Sequence, residues 1–136
     1  MITAIDSSVL LDILGGDQQF GMRSRTSFET CAATGGLVAC EVVWAEVSGF
    51  FQDPDDARRD LASLGLAFDP LSHDAALLAG TNWALYRSRG GPRTRILPGF
   101  LVGSHALIQA DQLLTRDSRF HRAHLPQLRI VDPSES

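Results

Sequence analysis

The sequence contains no lysine; all twelve of its bases are arginine. That excludes a P-loop, whose lysine reaches the nucleotide phosphates, and it excludes Schiff-base catalysis. Cysteine is scarce as well. Cys31 and Cys40 are too few for a disulfide framework and lack the grouped spacing of a zinc site, so they read as free buried thiols in a reducing cytosol. Long apolar runs are also missing, since none reaches the roughly 18 residues that a membrane-spanning helix needs. The opening MITAIDSSVLLD has no basic n-region, and Asp6 and Asp12 interrupt its apolar residues, unlike a signal peptide. A cytoplasmic protein with no membrane association is expected.

What is present fits one domain over residues 1–136, with 44% hydrophobic and 21% charged residues. The formal charge of −4 hides an asymmetry. Residues 1–86 carry a balance of −8, whereas residues 87–122 carry seven arginines against Asp111 and Asp117, a balance of +5. A basic segment of this kind is the footprint of a phosphate-bearing partner, or else a solvated loop that only aids solubility.

Hydrophobic spacing predicts short strands alternating with helices. Strands are expected at Ile2–Asp6, Leu37–Cys40, Ala67–Leu71, Gln112–Thr115 and Leu128–Val131. Helices are expected at Ser8–Leu14, Met22–Thr34, Val42–Phe51, Ala57–Leu64, Asp74–Tyr86 and Pro98–Ala110, with a Gly/Pro/Arg loop at Ser88–Thr94. Such alternation points to an α/β sandwich around a mostly parallel sheet of four to five strands. Ligands of these sheets bind beyond the carboxyl ends of the strands, where Asp6 and Asp117 fall.

Carboxylate clusters bind hard cations, which orient water and neutralise a phosphodiester under attack. The candidates are Asp6, with Ser7 and Ser8 beside it, Glu46 on an otherwise apolar helix face, and Asp117 with Thr115 as an orienting hydroxyl. Each has a plainer alternative. Asp6 or Asp117 would equally cap a following helix, and Glu46 would equally sit on a solvated rim. His121 and His124 read as surface residues, His105 as packed at a helix flank, and His73 with Asp74 as a helix-entry pair.

The order IDSSVLLD, VVWAEV and RILPGFLVGSHALIQADQLLTRDSRF resembles PIN-domain ribonucleases of the VapC toxin type, over nearly the whole chain. The resemblance implies a PIN-like three-layer sandwich and an Mg²⁺- or Mn²⁺-dependent endoribonuclease from a type II toxin–antitoxin pair. It places Asp6, Glu46 and Asp117 at the metal and Thr115 and Ser8 as orienting hydroxyls. Arg93, Arg95 and Arg116 become candidates for RNA phosphate contacts. The expected partners are RNA substrate, a cognate antitoxin and a second copy of the chain.

One position departs from the family pattern. An aspartate normally follows the ILP-type stretch, and here the residue is Gly99. Glycine supplies no ligand and weakens the first turn of a helix, where an acid is favoured. The expectation is a lost ligand and an impaired enzyme; the alternative is a Pro98-Gly99 turn before a helix that starts later. A catalytically inactive PIN-fold protein that binds RNA or antitoxin is the competing function. A receiver-type domain is disfavoured by the missing lysine, and an aspartate-based phosphatase by the absence of DxD after the first strand.

Overall fold

A computed structural model describes residues 1–91 and 97–135. Its centre is a sheet of five short strands: β1 (Thr3–Ile5), β2 (Leu37–Ala39), β3 (Leu66–Phe68), β4 (Gln112–Leu114) and β5 (Ile130–Val131). Their order is β3-β2-β1-β4-β5, and every pairing is parallel. The expected strands are all present. The sheet is wholly rather than mostly parallel, and β3 ends before Asp69-Pro70 instead of running to Leu71, because proline cannot donate to a ladder.

The central strand shows why these segments are apolar throughout. Ala4 and Ile5 on β1 and Leu113 and Leu114 on β4 are no more than 2% exposed, since neighbouring strands and helices cover both faces. Thr3, equally buried, has its hydroxyl satisfied by the Gln112 side chain at 2.9 Å. The chain enters the sheet so close to Gly35 that a Cβ there would overlap the Met1 carbonyl, and only glycine fits.

Seven helices flank the sheet among the described residues. They are α1 (Ser7–Leu14), α2 (Gly21–Thr34), α3 (Glu41–Ser48), α4 (Pro54–Ser63), α5 (His73–Ser88), α6 (Leu97–Gln109) and α7 (Ser118–His124). α1 packs on α2 and α3, while α6 contacts β1, β4, α3, α5 and α7. Val9 and Leu10 of α1, Val43 and Val47 of α3 and Phe100 of α6 are at most 1% exposed. Each buried side chain of this size contributes roughly 1.5–3 kcal/mol. No helix among the described residues is long and apolar enough to cross a membrane.

Three helices differ from expectation. α3 ends at Ser48, with Gly49 at its C-cap, short of Phe51. α4 begins at Pro54, three residues before Ala57, because Asp53 caps it by accepting from Asp55 N at 2.9 Å and proline suits the first turn. α7 has no counterpart among the expected helices. Its seven residues, SRFHRAH, are too short and too polar to show a periodic stripe, and packing against α6 and β5 holds it in place.

Candidate active site

The order β3-β2-β1-β4-β5 reverses direction at β1 and β4, so the crevice beyond their carboxyl ends is the topological switch point. Three connections deliver acids to it. Asp6 follows β1, Asp117 follows β4, and Glu46 lies on α3 after β2. All three line one cleft of about 240 Å³ with Ser7, Ser8, Pro98, Gly99, Val102 and His121. The three candidate acids are therefore brought together from positions 40 to 111 residues apart in sequence.

Hydrogen bonds fix this geometry. Asp6 Oδ1 accepts from Ser7 N at 2.7 Å, capping α1. Its other oxygen accepts from the Thr115 hydroxyl at 2.6 Å. Capping and a place in the cleft are thus compatible at Asp6, one oxygen serving each. Thr115 Oγ1 also accepts from Asp117 N at 2.9 Å, so one hydroxyl orients both aspartates. Asp117 stands at the N-cap position of α7 but makes no capping hydrogen bond with its side chain, which removes the plainer alternative there. The Glu46 carboxylate is bridged across the cleft by the Ser7 hydroxyl at 3.1 Å.

The electrostatics are those of crowded acids. Burial pushes Asp6 up, but the His121 ring, the Thr115 hydroxyl and the Ser7 amide outweigh it and hold Asp6 below its ordinary value. Glu46 is exposed on the rim of the cleft, as its plainer alternative had it; partial desolvation and the Asp6 charge raise it against the pull of Ser7. Asp117, also exposed, is raised by partial desolvation and by Asp6, with His121 opposing. An ionised Asp6 therefore makes its two neighbours reluctant to ionise, and an added cation relieves that cost.

The other expected residues divide. Ser8 lines the cleft, and its hydroxyl accepts from Arg116 N at 3.2 Å, tying the β4–α7 connection to α1. Arg116 departs from the expected phosphate contact. Its guanidinium forms a two-pronged pair with buried Asp12, at 2.6 and 2.9 Å, and lies 4.2 Å from the Phe20 ring centre. A fork so engaged braces the fold instead of facing the cleft. Arg93 and Arg95 lie outside the described residues. Within the basic segment, Arg122 is paired with Glu135, and Arg87 stacks on Trp83.

Gly99 lies within the first turn of α6, which begins at Leu97, so the alternative of a turn before a later helix start does not hold. A Cβ at Gly99 would stand 2.7 Å from Phe120 Cε1, so the ring of Phe120 occupies the space a side chain there would enter. His105 is buried, its Nε2 2.9 Å from Asp69 Oδ2, which couples α6 to the end of β3. His121 is not a surface residue: it is 1% exposed and lines the cleft. The missed signal was its place four residues after Asp117, which becomes the same face of a helix once α7 is recognised.

The donor chemistry fits a divalent cation, with carboxylate and hydroxyl oxygens from three elements facing one crevice. The Asp6 charge raises both of its acidic neighbours, which an added cation would relieve. Among the described residues, no three acid, histidine or cysteine side chains already close around one point. Asp6, Glu46 and Asp117 would hold such an ion by turning inward from helix and loop ends.

No family model and no curated protein sequence matches the chain. Solved structures do. VapBC2 from Rickettsia felis, bound to a DNA fragment from its promoter, superposes with a TM-score of 0.74 at 16% identity, covering 97% of this chain and 98% of that one. VapBC-1 from nontypeable Haemophilus influenzae gives 0.72 at 15% identity, with 99% and 100% covered. A toxin–antitoxin complex from Klebsiella pneumoniae gives 0.70 at 20% identity, with 98% and 99% covered. The chain has the fold of a chain in these complexes, in agreement with the PIN-like sandwich that its motifs imply.

Proposed function

We propose that this chain is the toxin of a type II toxin–antitoxin pair, an Mg²⁺- or Mn²⁺-dependent endoribonuclease whose activity is impaired at Gly99. The observation that carries the reading is the meeting of Asp6, Glu46 and Asp117 in one cleft at the switch point of a fully parallel sheet. When bound, the cation supplies charge for the scissile phosphate and lowers the proton affinity of water. Asp6 and Asp117 hold the ion, while Glu46 holds it or orients the attacking water through its position across the cleft. Thr115 and Ser8 keep the two aspartates and the β4–α7 connection in register.

RNA is the favoured substrate because the basic segment between Arg87 and Arg122 carries Gly99 and Asp117 of the site. Arg93 and Arg95 are assigned to its phosphates. The cognate antitoxin is assigned as the partner that covers the cleft, and the working unit as a homodimer.

A second reading, a PIN-fold protein that binds RNA or antitoxin without cutting, is favoured by one observation. Phe120 fills the space over Gly99, so the site has closed around the absence of a fourth acid. Cleavage of a mixed small-RNA pool in Mn²⁺ separates the two, with the chain compared against Asp6→Asn and Gly99→Asp. The proposal expects weak cutting by the chain, none by Asp6→Asn and more by Gly99→Asp. No cutting by any of them leaves the binding protein as the function.

A further inference from the structure

α6 carries glycine at 99 and again at 103, one turn apart and on one face. A Cβ on the first would strike the Phe120 ring at 2.7 Å, and on the second would strike Leu125 Cδ1 first and lie 3.0 Å from His121 Nδ1. The two glycines thus make room for Phe120, His121 and Leu125. Phe120 takes the space where the family's acid is absent, and His121 reaches the floor of the acidic cleft.

The His121 ring is unusual in its surroundings. It is 1% exposed, and Nδ1 is buried with no hydrogen-bond partner. Nε2 stands 3.9 Å from Asp6 Oδ2, beyond hydrogen-bond reach. Nε2, the nitrogen on the Asp6 side, makes no hydrogen bond among the described residues either, and this leaves it open to an ion in the cleft. Ligand distances of about 2.0–2.2 Å on each side allow one cation to sit between an imidazole nitrogen and a carboxylate oxygen so separated. Glu46 is restrained only through Ser7, and the Asp117 carboxylate has no hydrogen-bond partner among the described residues, so both are free to turn towards the same point.

We infer that His121, through Nε2, is a ligand of the cation held by Asp6, a nitrogen donor in place of the carboxylate missing at Gly99. This rests on the reading of the cleft as a metal-dependent nuclease site and deepens it. An imidazole among carboxylates turns the site away from Mg²⁺ and towards Mn²⁺, Co²⁺ or Zn²⁺, which accept nitrogen readily. The partial loss of function at Gly99 thereby becomes a change of preferred ion.

The test is hyperfine spectroscopy of the full chain loaded with Mn²⁺, with and without histidine-selective ¹⁵N labelling. A nitrogen coupling that changes isotope with the label supports the inference, because His121 alone of the four histidines lines the cleft. In His121→Asn the coupling disappears, Mn²⁺ affinity falls about tenfold or more, and Mg²⁺ affinity changes less than about threefold. Bound Mn²⁺ with no nitrogen coupling overturns the role of His121 and leaves the nuclease reading intact. Absence of any bound Mn²⁺ overturns both. The labelled wild-type chain decides the matter even if His121→Asn fails to fold.

Discussion

Helix α1 has an aspartate at each end of its buried side, and the protein treats them differently. Asp12, 4% exposed, accepts two hydrogen bonds from Arg116 and one from Ser24 at 2.6 Å. Its charge is matched inside the protein. Asp6, 9% exposed, is bonded to Ser7 and Thr115 but has no lysine or arginine partner, and it faces two more acids across a cleft. Consecutive residues of the β4–α7 connection, Thr115 and Arg116, make these two contacts. A buried carboxylate with an internal arginine stabilises a fold, whereas one among hydroxyls and like charges, with only the His121 ring 3.9 Å away, is set up to take its cation from solution.

The sharpest way to break this comparison is at Asp12. Asp12→Ala leaves Arg116 without its partner and costs about 3 kcal/mol of stability, read as a lower urea midpoint with an unchanged slope. Asp6→Asn keeps an oxygen to cap α1 but gives up the depressed charge and the Thr115 bond, so it lowers the urea midpoint less than Asp12→Ala does, yet lowers RNA cleavage by about 10²-fold or more. Equal stability losses at the two positions would show that Asp6 is structural too.

Gly99→Asp has two opposed effects. Its Cβ must displace Phe120, at a cost of about 1–3 kcal/mol, while the restored carboxylate raises Mg²⁺-dependent cleavage. Adding Phe120→Leu recovers part of the stability and keeps the gain in cleavage. A gain absent in both variants would show that the ring, not the missing acid, sets the activity.

Smaller still are the effects at Asp117 and at Asp132. Asp117 is held above its ordinary value by burial and by Asp6, so at neutral pH its charge opposes folding. Asp117→Asn is therefore expected to melt no lower than the wild type, and slightly higher, while losing cleavage. Burial raises Asp132, but the Ser118 and Ser134 hydroxyls outweigh it and hold it below its ordinary value. A depressed acid contributes stability above its unfolded value, and that contribution fades as pH falls through the folded one. Ser118→Ala, which removes the 2.6 Å bond to Asp132, is expected to lower stability at pH 6 and to converge on the wild type in strong acid.

Much of this was legible in the sequence. Apolar runs of three to five residues between capped helices identified every strand, and acids beyond β1 and β4 located the crevice. Glu46 was visible as the one charge on an apolar helix face. What stayed hidden depended on contacts without a local signature. α7 shows no hydrophobic stripe, so His121 read as a surface residue. Arg116 looked like part of a basic patch because its partner, Asp12, lies 104 residues earlier. Gly99 suggested a lost ligand, but only packing shows Phe120 in its place.

The most direct measurement of the central claim is the thermal midpoint of the wild type and of Asp6→Asn, each with Mn²⁺ and with EDTA. A ligand bound only by the folded chain stabilises it by about 2.7 kcal/mol at a hundred times its dissociation constant. A cleft that completes its charge with a cation predicts that Mn²⁺ raises the wild-type midpoint and leaves Asp6→Asn unmoved. An equal rise in both, or no rise in the wild type, would contradict it.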